Sequence, residues 1–504
     1  MTGRMPILLA RKKIRDFIGA GSGERLPPGK RMSEMGESIG TSPATPAVGL
    51  GGHLAGLSLP RQVLVLAAWP LLEQVLAFFV GLTDQLISGR MAVGAQRVAI
   101  LDAMGLGVYV GWFLTILQGA VATGVMALVS RATGGREHAL ANRGLGQGMW
   151  LGLAAGLGSL AVLQLGIPTL IHWIRLSPAA AVQAEIYLRI LALSGPFSGV
   201  MFAVNAALRG AGDTRTPFLA MVVVNLVNML LAWTLVFAPA PWGGHGMAGI
   251  ATGTVCGWIA GFLTTVVLLG RGRHAGLQWA RACLRPHWDT MRRILRIGAP
   301  QALEIAGMWM IHAFGIRVIA GLRDEGALGA HMLAIRVESM SFLPGLAIAT
   351  AGATLVGQYL GAGSKLMAAR AVRVCWTLAV GLMSLMGVFF VLCRYQLIGW
   401  MAPESGLHLR LAVPLLVVCA MTQPFFATCI ILKTAMRGAG ATGIVMRWAF
   451  GSMLFYRVGA LWALTTYSSL SLTGVWIVLG VDLVTQAFIF TRLYRGGSWL
   501  EARV

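Results

Sequence analysis

The chain has 504 residues, of which 57% are hydrophobic and only 12% charged, with a mean hydropathy of +0.74. Ordinary globular domains carry about 25% charge, so a string of soluble domains is excluded. The formal charge of +22 would suit a polyanion, but the basic residues fall largely in the tail and short connections. That is the positive-inside pattern of a membrane protein, and no nucleic-acid partner is expected.

In chain order, residues 1–60 form a basic tail. Its "GSGERLPPGKRMSEMGESIGTSPATP" is rich in Gly, Ser and Pro and is expected to be disordered and cytoplasmic. The preceding "MPILLARKKIRDFIG" reads as a short basic amphipathic helix on an anionic leaflet. Its basic cluster follows the apolar run, unlike a signal peptide. Beyond the tail, uncharged blocks cover Thr216–Gly270, Gly144–Ile174, Val374–Cys393, Leu411–Leu432 and Val458–Val481. A span needs about 20 apolar residues. Twelve spans are predicted, near 63–87, 103–130, 149–173, 183–207, 217–238, 247–270, 294–319, 328–357, 373–398, 411–435, 444–466 and 473–492. The longest connection, between spans six and seven, carries Arg271, Arg273, Arg281, Arg285, Arg292 and Arg293, whereas "APAPWGGHG" and "TTYSSLS" carry no Lys or Arg. Both termini are therefore expected in the cytoplasm, in a multi-pass protein of the cell inner membrane.

The chain also repeats itself. "ALRGAGDTRTP" from Ala207 nearly recurs as "AMRGAGATGIV" from Ala435, and Arg209 matches Arg437 at an offset of 228. "ALVSRATGG" from Ala127 matches "TLVGQYLGAG" from Thr354 at 227, Pro70 matches Pro300 at 230, and Gly249 matches Gly474 at 225. Four anchors in order at nearly constant offset describe a duplicated six-span unit. Six is even, so the copies run parallel, a design used by secondary transporters. The expected domains are an N-lobe (61–270), a basic cytoplasmic linker (271–293) and a C-lobe (294–504). A structural bundle that arose by duplication is the alternative.

Ionisable groups within spans are costly and so are functional candidates. Span one holds Glu73 and Asp84, eleven residues apart and hence on one helical face. Glu304 in span seven is nearly the repeat counterpart of Glu73; Arg336 and Glu338 lie in span eight and Asp482 in span twelve. For Glu338 and Asp482 pairing with arginine competes with a functional role. Asp84 has no basic residue nearer in sequence than Arg90, which suits proton exchange; Asn205, Asn225, Asn228, Thr252 and Thr254 could join it. There is no GxxxxGK[ST] motif, and "GLGVYVG" from Gly105 lies in an apolar helix, where small residues favour close packing. The histidines form no HExxH pattern and the six cysteines no metal-ligand spacing, so no metal site is expected. No nucleophile–base constellation supports an enzyme.

"WPLLEQVLAFFVGLTDQLISG", "ALRGAGDTRTP", "GMAGIATGTV" and "GAHMLAIRVESMSFLPG" resemble the multidrug and toxic compound extrusion (MATE) transporters over about residues 60 to 495. The resemblance implies an all-α polytopic membrane protein of twelve helices in two parallel six-helix repeats around a central cavity. It implies antiport of amphipathic, mostly cationic small molecules against a proton or sodium gradient, with no bound cofactor, by a protein taken to be a monomer. Asp84 matches the family's span-one aspartate, Asn228 a span-five asparagine and Thr254 a span-six hydroxyl; Asn205 is a looser match. With Glu73, Glu304 and Glu338 these make up the expected ion-coupling and substrate set. Two departures disfavour sodium: Ala232 stands where many relatives carry Asp or Asn, and span ten has no carboxylate. Two other readings stay open, a flippase for a lipid-linked or anionic lipid and a non-transporting membrane scaffold.

Overall fold

The computed structural model describes residue 50 and residues 54–502, apart from 92–93, 175, 273–275, 279–280, 323–325, 402–405 and 469. The expected tail helix, and most of the tail with it, lies outside the described residues. The N-lobe contains α1 (Leu59–Arg90), α2 (Gly94–Gly134), α3 (His138–Ile174), α4 (Pro178–Ala192), α5 (Gly195–Ala211), α6 (Arg215–Phe237) and α7 (Gly246–Arg271). The C-lobe contains α8 (Trp288–Ala320), α9 (Ala327–Gly361), α10 (Lys365–Leu392), α11 (Arg394–Met401), α12 (Gly406–Gly438), α13 (Thr442–Met453), α14 (Leu461–Tyr467) and α15 (Leu472–Gly496). A π-helical segment, Leu454–Ala460, joins α13 to α14.

Among the described residues nine helices are individually long and apolar enough to cross a bilayer, and the α4–α5 pair, bent by 49°, makes a tenth. The long α2 and the α13–π–α14 rod complete the twelve expected passes. The break in span four falls where Pro196 cannot donate a helical N–H, a bend the sequence reading drew as one helix. Helix starts are fixed locally. Ser177, Ser364 and Ser471 hydroxyls accept the N–H groups of Ala180, Met367 and Gly474 at 3.3, 3.3 and 3.2 Å. Large side chains such as Leu165 and Phe488 point outward at 81% and 67% exposure, as lipid-facing residues do.

The twin RGAG stretches are identical turns. Gly212 and Gly440 have φ of 102° and 91°, a left-handed conformation that glycine adopts without strain. In each, the glycine N–H bonds the preceding arginine's carbonyl at 2.9 Å (Arg209, Arg437), and the next N–H reaches the carbonyl before it (Leu208, Met436), also at 2.9 Å. We call this side of the bundle the hinge end.

The lobes meet at the hinge end. There the start of α1 shares one core with α9, α10 and α12 through Val63, Leu66, Val356 and Tyr359, and Ile294 of α8 enters the core of α2, α3 and α5. At the far end each lobe has its own core, around Tyr187 and Ile250 in one and Phe390 and Trp476 in the other. Hydrogen bonds between the lobes follow the same rule. Thr354 donates to the Arg209 carbonyl (3.1 Å), Gln358 to the Gly210 carbonyl (2.9 Å) and Tyr359 to Gln62 (2.8 Å).

The closest contact is between the two copies of one motif. A Cβ on Gly134 would run into the Gln358 backbone, and one on Gly361 into the Arg131 backbone, so α2 and α9 cross with main chains touching. The linker is also tied down. Gln147 of α3 donates to the carbonyls of Cys283 (3.1 Å) and Arg285 (2.8 Å), and Trp150 to that of Leu284 (2.8 Å).

Candidate functional site

Asp84 sits in the far half of α1, 4% exposed, facing α6 and α7. The Asn228 amide of α6 donates one hydrogen to Asp84 Oδ1 (3.2 Å) and the other to Thr254 Oγ1 (3.0 Å). The Thr254 hydroxyl, from α7, donates to Asp84 Oδ2 (3.0 Å). Both carboxylate oxygens are thus held by neutral donors, and no cation pairs with Asp84 among the described residues. Both Asn228 N–H groups are used, which leaves its Oδ1 buried without a partner. Ala232 is fully buried at the α6–α7 crossing, where a Cβ on Gly253 would stand 2.6 Å from its nitrogen.

The other candidates lie elsewhere. Asn205 is buried on α5 with its Oδ1 unpartnered, and no hydrogen bond joins it to the Asp84 cluster. Asn225 donates to its own helix at the Met221 carbonyl (2.8 Å). Glu73 forms a hydrogen-bonded ion pair with Arg209, and Glu304 with Arg437 at 2.7 Å. Each pair ties the first helix of a lobe to the arginine of its RGAG turn. Arg209 points into its lobe toward Glu73. "GLGVYVG" is a packing motif: a Cβ on Gly107 would stand 2.6 Å from the Tyr187 ring.

The C-lobe holds a partly open cavity of about 430 Å³ between α8, α9, α12, the end of α13, the π segment and α15. Glu304, Glu338, Lys433, Arg437 and Arg457 line it, with His312, His331 and Trp476. Arg457 donates to Asp482 Oδ2 (2.6 Å), and Ser452 and Gln486 donate to Asp482 Oδ1 at 2.6 and 2.9 Å. The sequence reading missed Lys433 and Arg457 because it assigned basic residues to tails and connections. A signal was available in the repeat. At the 228 offset of the RGAG turns Thr254 maps onto Asp482, and Asn228 onto Tyr456, one residue before Arg457. The π segment, with its wider turn, lies at this place. An ion pair in the C-lobe thus stands where the N-lobe has two neutral donors.

The MatE family model matches residues 71–234 and 300–462, two segments that begin 229 residues apart, one in each lobe. The chain belongs to the MATE transporter family. A probable multidrug resistance protein NorM of Thermotoga maritima is 26% identical over 88% of this chain and 94% of its own length. The multidrug resistance protein PmpM of Pseudomonas aeruginosa is 24% identical over 82% of this chain and 87% of its own. A solved structure described as the outward-facing conformation of a multidrug resistance MATE family transporter has the same fold, with a TM-score of 0.81 at 19% identity, covering 89% of this chain and 98% of that one. This MATE protein is therefore a multi-pass membrane transporter of two parallel six-helix repeats.

Proposed function

We propose that this protein is a proton-coupled antiporter of the cell inner membrane that exports amphipathic, mostly cationic compounds by alternating access. One observation carries the reading: a buried carboxylate, Asp84, held only by neutral donors beside an unpartnered amide oxygen. Deprotonated, Asp84 accepts from Asn228 and Thr254. Protonated, its O–H becomes a donor, and turning the Asn228 amide over would offer it the oxygen that is left without a partner. The cluster can satisfy either state, as a reversible proton carrier must. For sodium, the Asp84 cluster offers one carboxylate, one hydroxyl and one amide carbonyl, and Ala232 adds none; a hard cation prefers more oxygens. Coupling requires that proton and cargo stabilise the two lobe arrangements unequally.

The arginine-rich linker supports a cytoplasmic hinge end and cytoplasmic termini. The hinge-end seal then makes the described arrangement outward-facing. The multidrug resistance names of the relatives support small organic cargo, handled by a monomer with no cofactor other than the ion gradient. The expected domains, N-lobe 61–270, linker 271–293 and C-lobe 294–504, are the moving parts of this scheme.

The test is ethidium efflux in proteoliposomes with proton and sodium gradients imposed separately. The proton gradient alone should drive efflux, and Asp84→Asn should bring it to background with the protein's abundance in the membrane unchanged. Sodium-only drive, or wild-type efflux from Asp84→Asn, would sink the reading.

A further inference from the structure

The start of α8 carries more positive charge than its surroundings neutralise. From Arg271 to Arg296 the chain has seven arginines and one acid, Asp289. Arg285, Arg292, Arg293 and Arg296 are exposed, and among the described residues their guanidinium groups have no hydrogen bond or ion pair, nor has the Asp289 carboxylate. Arg292 and Arg296 stand one turn apart on one face, where like charges repel. The helix dipole adds to the cost, since cations are disfavoured near a helix N-terminus. The tail brings no relief, because residues 1–49 carry eight Lys and Arg against four acids.

The duplication shows that the fold does not need these charges. At the 230 offset set by Pro70 and Pro300, Arg292, Arg293 and Arg296 correspond to Gln62, Val63 and Leu66 of α1. Those three are buried, Val63 and Leu66 in the core that the lobes share. In α8 it is Ile294 and Ile297 that are buried, which turns the arginines outward. Large apolar side chains share the outward face. Trp288, 70% exposed, and Leu295 alternate with Arg292 and Arg296 at helical spacing, and the exposed Leu303 and Met310 continue the same face. Within about four turns the surface passes from guanidinium groups and an indole to bare hydrocarbon. That is the layering of a lipid leaflet, with tryptophan and cations at headgroup level and apolar side chains beyond. A free anion would need the cations alone.

We infer that the start of α8 is a binding site for an anionic phospholipid. Arg292 and Arg296 take the headgroup phosphate, whose oxygens suit paired guanidinium groups, and Arg285 adds to the positive field. Trp288 and Leu295 lie along the glycerol and acyl chains. The site depends neither on the transport proposed above nor on which side of the membrane the hinge end occupies. It lies at the seal, because Ile294 enters the core of α2, α3 and α5, and a Cβ on Gly298 would run into the Ala120 carbonyl.

Binding of phosphatidylglycerol with a fluorescent acyl chain to the full-length protein in neutral detergent tests it, with identically labelled phosphatidylcholine as the control. Wild type should prefer phosphatidylglycerol. Arg292→Gln with Arg296→Gln should weaken phosphatidylglycerol binding about tenfold or more and leave phosphatidylcholine binding unchanged. Lysine at both positions should keep the affinity within about threefold of wild type. Arg136→Gln with Arg370→Gln removes the same charge from two exposed arginines elsewhere and should also stay within about threefold. Equal losses from the two glutamine pairs would mean diffuse attraction and overturn the site. So would wild-type affinity in the Arg292 and Arg296 pair, or equal loss of both lipids, which would mark a structural role. Displacement of the lipid by a large excess of inorganic phosphate would make this a site for the free anion and overturn the lipid.

Discussion

Asp482 is fully buried, and its charge is tolerable only because Arg457, Ser452 and Gln486 converge on it. Removing one partner of such a pair costs about 3–5 kcal/mol, whereas replacing both with apolar groups is often near neutral. Arg457→Met should therefore lower the thermal unfolding temperature in detergent steeply, and Arg457→Met with Asp482→Leu should recover most of the loss. The Asp84 cluster was legible in the sequence, since a carboxylate deep in an apolar span stands out and the family resemblance supplied Asn228 and Thr254. The partners of Glu73, Glu304 and Asp482 were not. Ion pairing depends on which helices face each other, and nothing near Glu73 in sequence points to an arginine 136 positions on. The same limit hid the C-lobe cavity, whose lining comes from six segments.

At the scale of elements, apolar length was enough to place the passes, because a helix in lipid must satisfy its own backbone and leaves few alternatives. Departures from a straight rod were harder to read. The break before Pro196 had a visible cause, but the π segment at Leu454–Ala460 contains no Pro to announce it. The two RGAG turns differ in one respect. Asp213 accepts the N–H groups of Arg215 (3.1 Å) and Thr216 (3.0 Å), capping α6, whereas Ala441 gives α13 no side-chain cap. Asp213→Ala should cost about 1 kcal/mol. Gly212→Ala should cost about 1–2 kcal/mol through its left-handed backbone. Thermal unfolding of the purified variants would check both, and equal stability to wild type would refute the capping role.

For the whole molecule, the decisive contact is the α2–α9 crossing at the hinge end. Gly134→Leu would force the Gln358 backbone away and should unseat the closed hinge end. In a cysteine-free background carrying Ser130→Cys, Gly134→Leu should raise maleimide labelling at the buried Ser130 site and lower ethidium efflux. Unchanged labelling would mean that the crossing does not hold the lobes together.

The crossing also bears on how such a chain came to exist. Its two sides, the segments from Ala127 and from Thr354, are copies of each other, and they meet about the axis that relates the lobes. In a symmetric pair of identical subunits, that is the kind of self-complementary contact a twofold axis imposes, with small residues where a surface meets its own twin. The two lobes can thus be regarded as a fused homodimer whose original interface survives as the seal. What has diverged, Asp213 to Ala441 and the neutral donors of Asp84 to the Arg457–Asp482 pair, lies where one half no longer has to match the other.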